Sequence, residues 1–289
     1  MSLKQLYQLQ WMLRFGLQRK QPWLKGQDAE LKELLRLCID KHETLLISDL
    51  LYRFEYLDTS RISQQLAAMV SQMTDVWRLP AEETQVVAST FDSDPDSAQQ
   101  ILQIIKPEFV KRDWMPKRLV NLIGRSVRYL GECPNVILVD EFVGSGVTIA
   151  KRVRDIRNEY DRMVSAGKAH KGYTIRVCVL ASMNNALREV ERDGIDTYAS
   201  LWLNKGISEY YSGAEIKEAI VRMLRLEKLL QAHVDGTALP SLGYNQAESL
   251  YKMETGNTPN SVFPIYWWPY LATGERRRTL LYRFERKTS

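Results

Sequence analysis

The 289-residue chain is poor in the side chains that build metal and redox centres, with three cysteines and three histidines. Cys38, Cys133 and Cys178 are odd in number and far apart, and they form no Cys-x-x-Cys or neighbouring-histidine pattern. That argues against a zinc site or a disulfide framework and leaves inert thiols in apolar surroundings. No apolar run approaches the roughly 20 residues that cross a bilayer, and the N-terminus lacks the apolar region of a signal peptide. A cytoplasmic protein with no membrane partner is therefore expected. The sequence holds no internal repeat and no low-complexity tract. Nor is there a large excess of one charge: 40 Lys and Arg against 35 Asp and Glu leave +5, too little by itself to predict nucleic-acid binding.

Apolar patterning divides what remains into three parts. Residues 1–80 read as an N-terminal helical extension, with Leu3, Leu6, Leu9 and Leu13 on one helix, Leu31, Leu34, Leu35 and Cys38 on a second, and Leu66, Met69, Val70 and Met73 on a later one. Pro22 and Gly26 separate the first two. Residues 81–210 alternate strand and helix. Strands are expected at 85–91, 136–139, 174–181 and 197–203, and helices near 97–106, 117–130, 148–165 and 186–193. This predicts an α/β fold with a doubly wound parallel sheet. Residues 211–289 read as a helix over 214–232, a loop-rich segment and a basic terminal strand.

The most informative stretch is Val136 to Thr148. Four uninterrupted apolar residues, Val136 to Val139, fit a parallel strand covered on both faces, and Ile149, Val153, Ile156, Tyr160 and Met163 have helical spacing. Asp140 and Glu141 then stand toward the carboxyl end of a strand, the edge where open α/β sheets bind ligands. Gly144 and Gly146 allow a turn in which the amides from Ser145 through Val147 to Thr148 converge on one anion, reinforced by the helix start. The amides and the Ser145 and Thr148 hydroxyls suit a phosphate monoester. Two adjacent carboxylates suit the vicinal diol of a ribose. Replacing Gly146 by valine is expected to abolish such binding with little change in the rest of the fold.

These residues resemble the phosphoribosyl diphosphate (PRPP) motif of type I phosphoribosyltransferases, in which four apolar residues, two acids and two variable residues commonly precede Thr-Thr-Gly-x-Thr. Here the last part reads Gly144-Ser145-Gly146-Val147-Thr148, so one hydroxyl of the cradle is lost and another is kept as serine. With Leu45 to Leu57, Leu242-Gly243-Tyr244, Asn257 to Asn260 and Pro264 to Trp267, the sequence is similar to the phosphoribosyltransferase-like family of bacterial conflict systems (PRTase-CE) from about Leu45 to Trp268. The resemblance implies a type I phosphoribosyltransferase kind of sheet, with PRPP or a nucleotide as ligand. It also implies a role in antiphage defence beside a companion protein. Residues 241–269, rich in turn formers and aromatics, would then be a hood-like segment over the base, or a cap whose Trp267 and Trp268 fill its own core.

Catalytic residues are not identified. Ribosyl transfer needs a stabilised leaving group, usually with Mg2+, and Lys111, Arg112, Lys117 and Arg118 are candidate cations or else solvated charges. By order, the loop carrying Asp92, Asp94 and Asp96 takes the place of a diphosphate loop. Three acids would line it only with a bridging metal, and the other reading is a surface turn that caps a helix. An enzyme that cleaves or exchanges an N-glycosidic bond and a non-catalytic nucleotide sensor both remain open. So do two readings of Arg276, Arg277, Arg278, Arg283, Arg286 and Lys287: a solvated strand edge, or a contact for nucleic acid or an acidic partner. The apolar residues of the first 26 positions exceed one narrow stripe. They read as a helix folded on its own core or as a docking element for a partner or a second copy, in which case removing residues 1–26 would leave a soluble core and eliminate assembly.

Overall fold

The computed structural model describes residues 2–91, 96–168 and 172–284. It forms two compact units: Asp58–Leu203, contiguous in sequence, and Met1–Leu57 together with Asn204–Ser289. In the contiguous unit five strands make one parallel sheet: β1 (Thr84–Ala88), β2 (Arg118–Val120), β3 (Asn135–Val143), β4 (Thr174–Met183) and β5 (Asp196–Leu203). Their order is β2-β1-β3-β4-β5. All of β1 and the run Val136–Glu141 are buried, which is why these strands lack polar alternation. From β1 the chain moves toward one sheet edge through helices Ser97–Ile104 and Lys106–Lys111, and from β3 toward the other through helix Val147–Ser165. Right-handed crossovers in opposite directions put these helices on opposite faces, which is the doubly wound arrangement.

One expected helix is different. Residues 117–130 instead supply the edge strand β2, one helical turn at Ile123–Ser126 and a 3-10 turn at Val127–Tyr129. Their apolar residues fit either period, and the open edge of β1, where Arg118, Leu119 and Val120 pair with Gln85, Val86 and Val87, decides the outcome.

The other unit is built around helices Leu3–Lys20, Asp28–Arg36, Lys41–Tyr52 and Ala214–Glu227. Ser2 and Gln5 form a capping box on the first, and Asp40 caps the third through the Glu43 amide at 2.9 Å. Leu31, Leu34, Ile47 and Leu50 pack with Met223, Leu226, Phe263 and Trp268 in one core. Strand Glu55–Leu57 pairs in parallel with Tyr251–Met253, joining segments from the two ends of the chain. The buried Glu43 carboxylate pairs with Arg225, and Arg53 donates to the Gly206 carbonyl at 2.9 Å while stacking over Tyr210. Trp267 and Trp268 are buried, so these aromatics fill the core of their own unit.

Two expectations are corrected here. Among the described residues, positions 276–284 form no strand and make only an isolated bridge between Tyr270 and Arg276. Thr279, Leu280 and Leu281 are buried in succession, whereas a half-solvated edge strand would alternate. The first helix, in turn, is not a removable arm. Leu6 and Leu17 are buried, Gln10 donates to the Leu35 carbonyl at 2.8 Å, and Gln21 donates to the carbonyls of Tyr52 and Phe54. Removing residues 1–26 would therefore open this core. Its other face leaves Leu3, Tyr7, Trp11, Met12 and Phe15 exposed. All three cysteines are free and buried, and burial pushes the Cys38 thiol up to about 12.

Glu227 adds a pH dependence to this unit. It is 1% exposed, both carboxyl oxygens accept from the Leu242 amide at 3.1 Å, and burial raises its pKa from 4.5 to about 7. The folded state thus holds this proton more tightly than the unfolded chain. The resulting stability is complete below pH 4.5 and is lost as pH rises toward 7, by about 3 kcal/mol at roughly 1.4 kcal/mol per unit. Urea unfolding of the wild type and of Glu227→Gln across this range should show a decline smaller in the variant by about this amount, since other raised carboxyls such as Asp140 remain; parallel curves would refute the assignment.

Candidate functional site

The strand β3 runs on through the acid pair to Val143, with Asp140 opposite Val179 and Phe142 opposite Ala181 of β4. Adjacent strand residues face opposite sides, so Asp140 and Glu141, both buried, diverge. Asp140 is the centre of a polar network. Its Oδ2 accepts from Ser89 Oγ at 2.6 Å and from Arg152 Nη1 at 3.1 Å. Its Oδ1 accepts from the Glu141 amide at 2.8 Å and from Ser97 Oγ at 3.2 Å. Arg152 also donates to Ser89 Oγ at 3.0 Å. Burial pushes the Asp140 carboxyl above its ordinary value, against the pull of Arg152, Ser89 and the Glu141 amide.

Sheet order explains why these residues meet. From β1 the chain turns to β2 on one side, and β3 lies on the other, so the direction of winding reverses between β1 and β3. Open α/β sheets bind ligands outside the carboxyl ends of the strands at such a point. Ser89 follows β1, Ser97 opens the next helix, and Gly144 to Gly146 lead from β3 into helix Val147–Ser165. Among the described residues no side chain caps that helix, which begins with exposed Val147 and Thr148 beside half-buried Ser145. Its first-turn amides are the kind of donors that bind anions at helix starts. Arg152 sits one turn further along, four residues after Thr148, and brings a positive charge to the same end.

A model of the PRTase-CE family matches residues 39–280. The chain belongs to the PRTase-CE family. Among curated proteins none matches it. Two solved structures show partial likeness. An orotate phosphoribosyltransferase from Aeropyrum pernix is 17% identical, with 50% of this chain and 72% of that one covered at a TM-score of 0.30. A hypothetical protein from Neisseria gonorrhoeae with bound ppGpp is 12% identical, with 57% and 94% covered at a TM-score of 0.34.

In this PRTase-CE chain the remaining candidates fall into separate groups. Asp92 and Asp94 lie outside the described residues. Asp96 caps helix Ser97–Ile104, accepting from the Gln99 amide at 3.1 Å. The cations considered for a leaving group are engaged elsewhere: Lys111 with Glu108, Arg112 with Asp75, and Lys117 and Arg118 with Glu132. Arg118 moreover opens β2, at the amino edge of the sheet. The cation beside the motif is Arg152, which the sequence does not single out, any more than it does Ser89; Ser97, expected only as part of the acidic loop or as a helix cap, instead donates to Asp140. The spacing of Arg152 from Thr148 along the helix was the available signal.

Gly146 adopts the turn conformation expected of a glycine, and it is also held by packing. Its φ is +80°, and a Cβ there would lie 1.9 Å from the Ala186 carbonyl oxygen. The position is closed by backbone packing, so the valine substitution cannot spare the fold. Gly146→Ala should lower stability by at least the roughly 1–3 kcal/mol of a strained left-handed backbone, since displacement of Ala186 adds to it. Gly124, with nothing within 4 Å of its would-be Cβ, is the control. Equal urea midpoints for Gly146→Ala and Gly124→Ala would overturn this account.

Proposed function

We propose that the Asp140–Thr148 segment binds the ribose 5-phosphate portion of PRPP or of a nucleotide. The observation that carries this reading is the uncapped helix start after the Gly144–Gly146 turn, placed where the sheet reverses its winding. In this reading the amides from Ser145 to Thr148 and the two hydroxyls hold the phosphate, while the Arg152 charge is balanced by Asp140. Because Asp140 and Glu141 are buried and face opposite sides of the strand, one diol meets Asp140 rather than the pair. Asp140 already accepts from three side chains, so a diol would first displace the Ser97 contact, the longest of them.

The same geometry favours a nucleotide sensor over a transferase as the second reading, because the four cations available for a diphosphate leaving group are committed to ion pairs. A Mg2+ ion would be held at the loop of Asp92, Asp94 and Asp96; of these Asp96 lies among the described residues, where its carboxylate caps a helix. Family membership supports a defence role against phage, exercised in the cytoplasm with a companion protein or a second copy of the chain. The exposed face of the first helix is the surface offered for that contact. Among the described residues no helix is long and apolar enough to cross a membrane.

Calorimetry with PRPP and nucleoside monophosphates tests the ligand reading. Combined Ser145→Ala and Thr148→Ala substitution should weaken binding by about 1.5–3 kcal/mol for each charged hydrogen bond lost, while the urea midpoint stays near that of the wild type. Unchanged affinity in the variant would refute the cradle. Turnover of PRPP or nucleotide, followed by mass spectrometry, would favour transfer or glycosidic cleavage over sensing.

A further inference from the structure

A groove of about 550 Å3 lies within the unit formed by the two ends of the chain, and its walls include Trp267, Trp268, Arg276, Arg277, Arg278 and Arg283. Among the described residues that line it the one acid is Asp235, beside four guanidinium groups. Arg277 is the most informative of them. It is 5% exposed, its Nη2 donates to the Ile265 carbonyl at 2.9 Å, and its Nε and Nη1 have no hydrogen-bond partner among the described residues. The Trp268 indole N–H on the same groove is likewise buried and unpaired. Burying a cation with open donors is costly, and such groups are normally paired. Glu33 is the acid whose charge reaches Arg277, but it accepts its hydrogen bond from the Arg278 amide at 3.0 Å. Burial lowers the Arg277 pKa to about 10, which still leaves it cationic at neutral pH.

The donors on Arg277 and Trp268 are closed off, but the positive charge of the four arginines on the groove suits an oxyanion with several acceptors, and the fork of a guanidinium fits phosphate. The rest of the lining narrows the ligand further. Arg283 stacks over Trp267 at 5.5 Å from the ring centroid, and Tyr282 and Phe284 stand exposed at the rim. Flat aromatic and guanidinium surfaces beside a cationic wall suit a ligand that carries both a phosphate and a planar ring. We propose that this groove is a second ligand site for a molecule of the nucleoside phosphate class, with the exposed guanidinium groups of Arg276 and Arg278 at the phosphate, the buried Arg277 charge behind them, and the rim aromatics against the base. All its residues belong to a different unit from the Asp140–Thr148 segment, and the site does not depend on that reading.

The test is calorimetry on the full chain with AMP, adenosine and inorganic phosphate as probes. AMP should bind at least tenfold more tightly than either adenosine or phosphate. The paired substitution Arg276→Ala and Arg278→Ala, at exposed positions, should weaken AMP at least tenfold, as should Arg277→Gln. Ser145→Ala with Thr148→Ala should leave this component intact, which separates the two sites. If Arg277→Gln fails to fold, the exposed pair still decides. Unchanged AMP affinity in the exposed pair would overturn the proposal. So would AMP binding no better than adenosine or phosphate, or binding of single-stranded oligonucleotides with no binding of AMP.

Discussion

The contiguous unit is organised by one buried carboxylate that must be satisfied. Asp140 is placed by β3, in the interior of the sheet's carboxyl edge, where an isolated charge would be expensive. Its donors come from three different pieces of chain: Ser89 after β1, Ser97 at the next helix start, and Arg152 in the helix after β3. Meeting the demand of one residue therefore fixes the spacing of two loops and two helices around the winding reversal. The arrangement is tight enough that Gly146 touches the Ala186 carbonyl and has no room for a side chain.

The sheet was largely legible because its central strands are parallel and buried, so Val136–Val139 and 177–181 are unbroken apolar runs, while 197–203, with Thr197 and Ser200 among its residues, was read from β-branched and aromatic content. The helix after β3 was legible from its spacing for the same reason. β2 was not, since three residues at a sheet edge leave no period to read, and their state depends on an open neighbour rather than on their own pattern. In the site, the acid pair, the glycine turn and the hydroxyls were visible as a linear motif. Ser89, Ser97 and Arg152 were hidden, because their roles come from convergence in space on Asp140. Gly146 shows the converse limit: its type was noticed, but the carbonyl that demands it lies forty residues away along the chain, at Ala186.

The unit made from both chain ends was the hardest to foresee. The helices of its first segment carry clear apolar stripes, yet their partners, Met223, Leu226, Phe263 and Trp268, belong to sequence that follows the entire parallel sheet. The buried Arg277 was invisible for a related reason. In sequence it is one of three consecutive arginines, and only tertiary packing separates it from its exposed neighbours.

The pairing of Glu55–Leu57 with Tyr251–Met253 has a consequence for biogenesis. A ribosome releases the chain from its N-terminus at about 5–20 residues per second, so the earliest helices emerge well before the strand and core residues that complete them. Asp58–Leu203 has all its strands within one stretch and can close as soon as it has emerged. The first segment must wait with Leu31, Leu34, Ile47 and Leu50 uncovered, for on the order of ten seconds or more at those rates. That interval makes nascent chains of this protein a natural client for chaperones, and it makes premature termination anywhere before Tyr251 a source of aggregation-prone fragments.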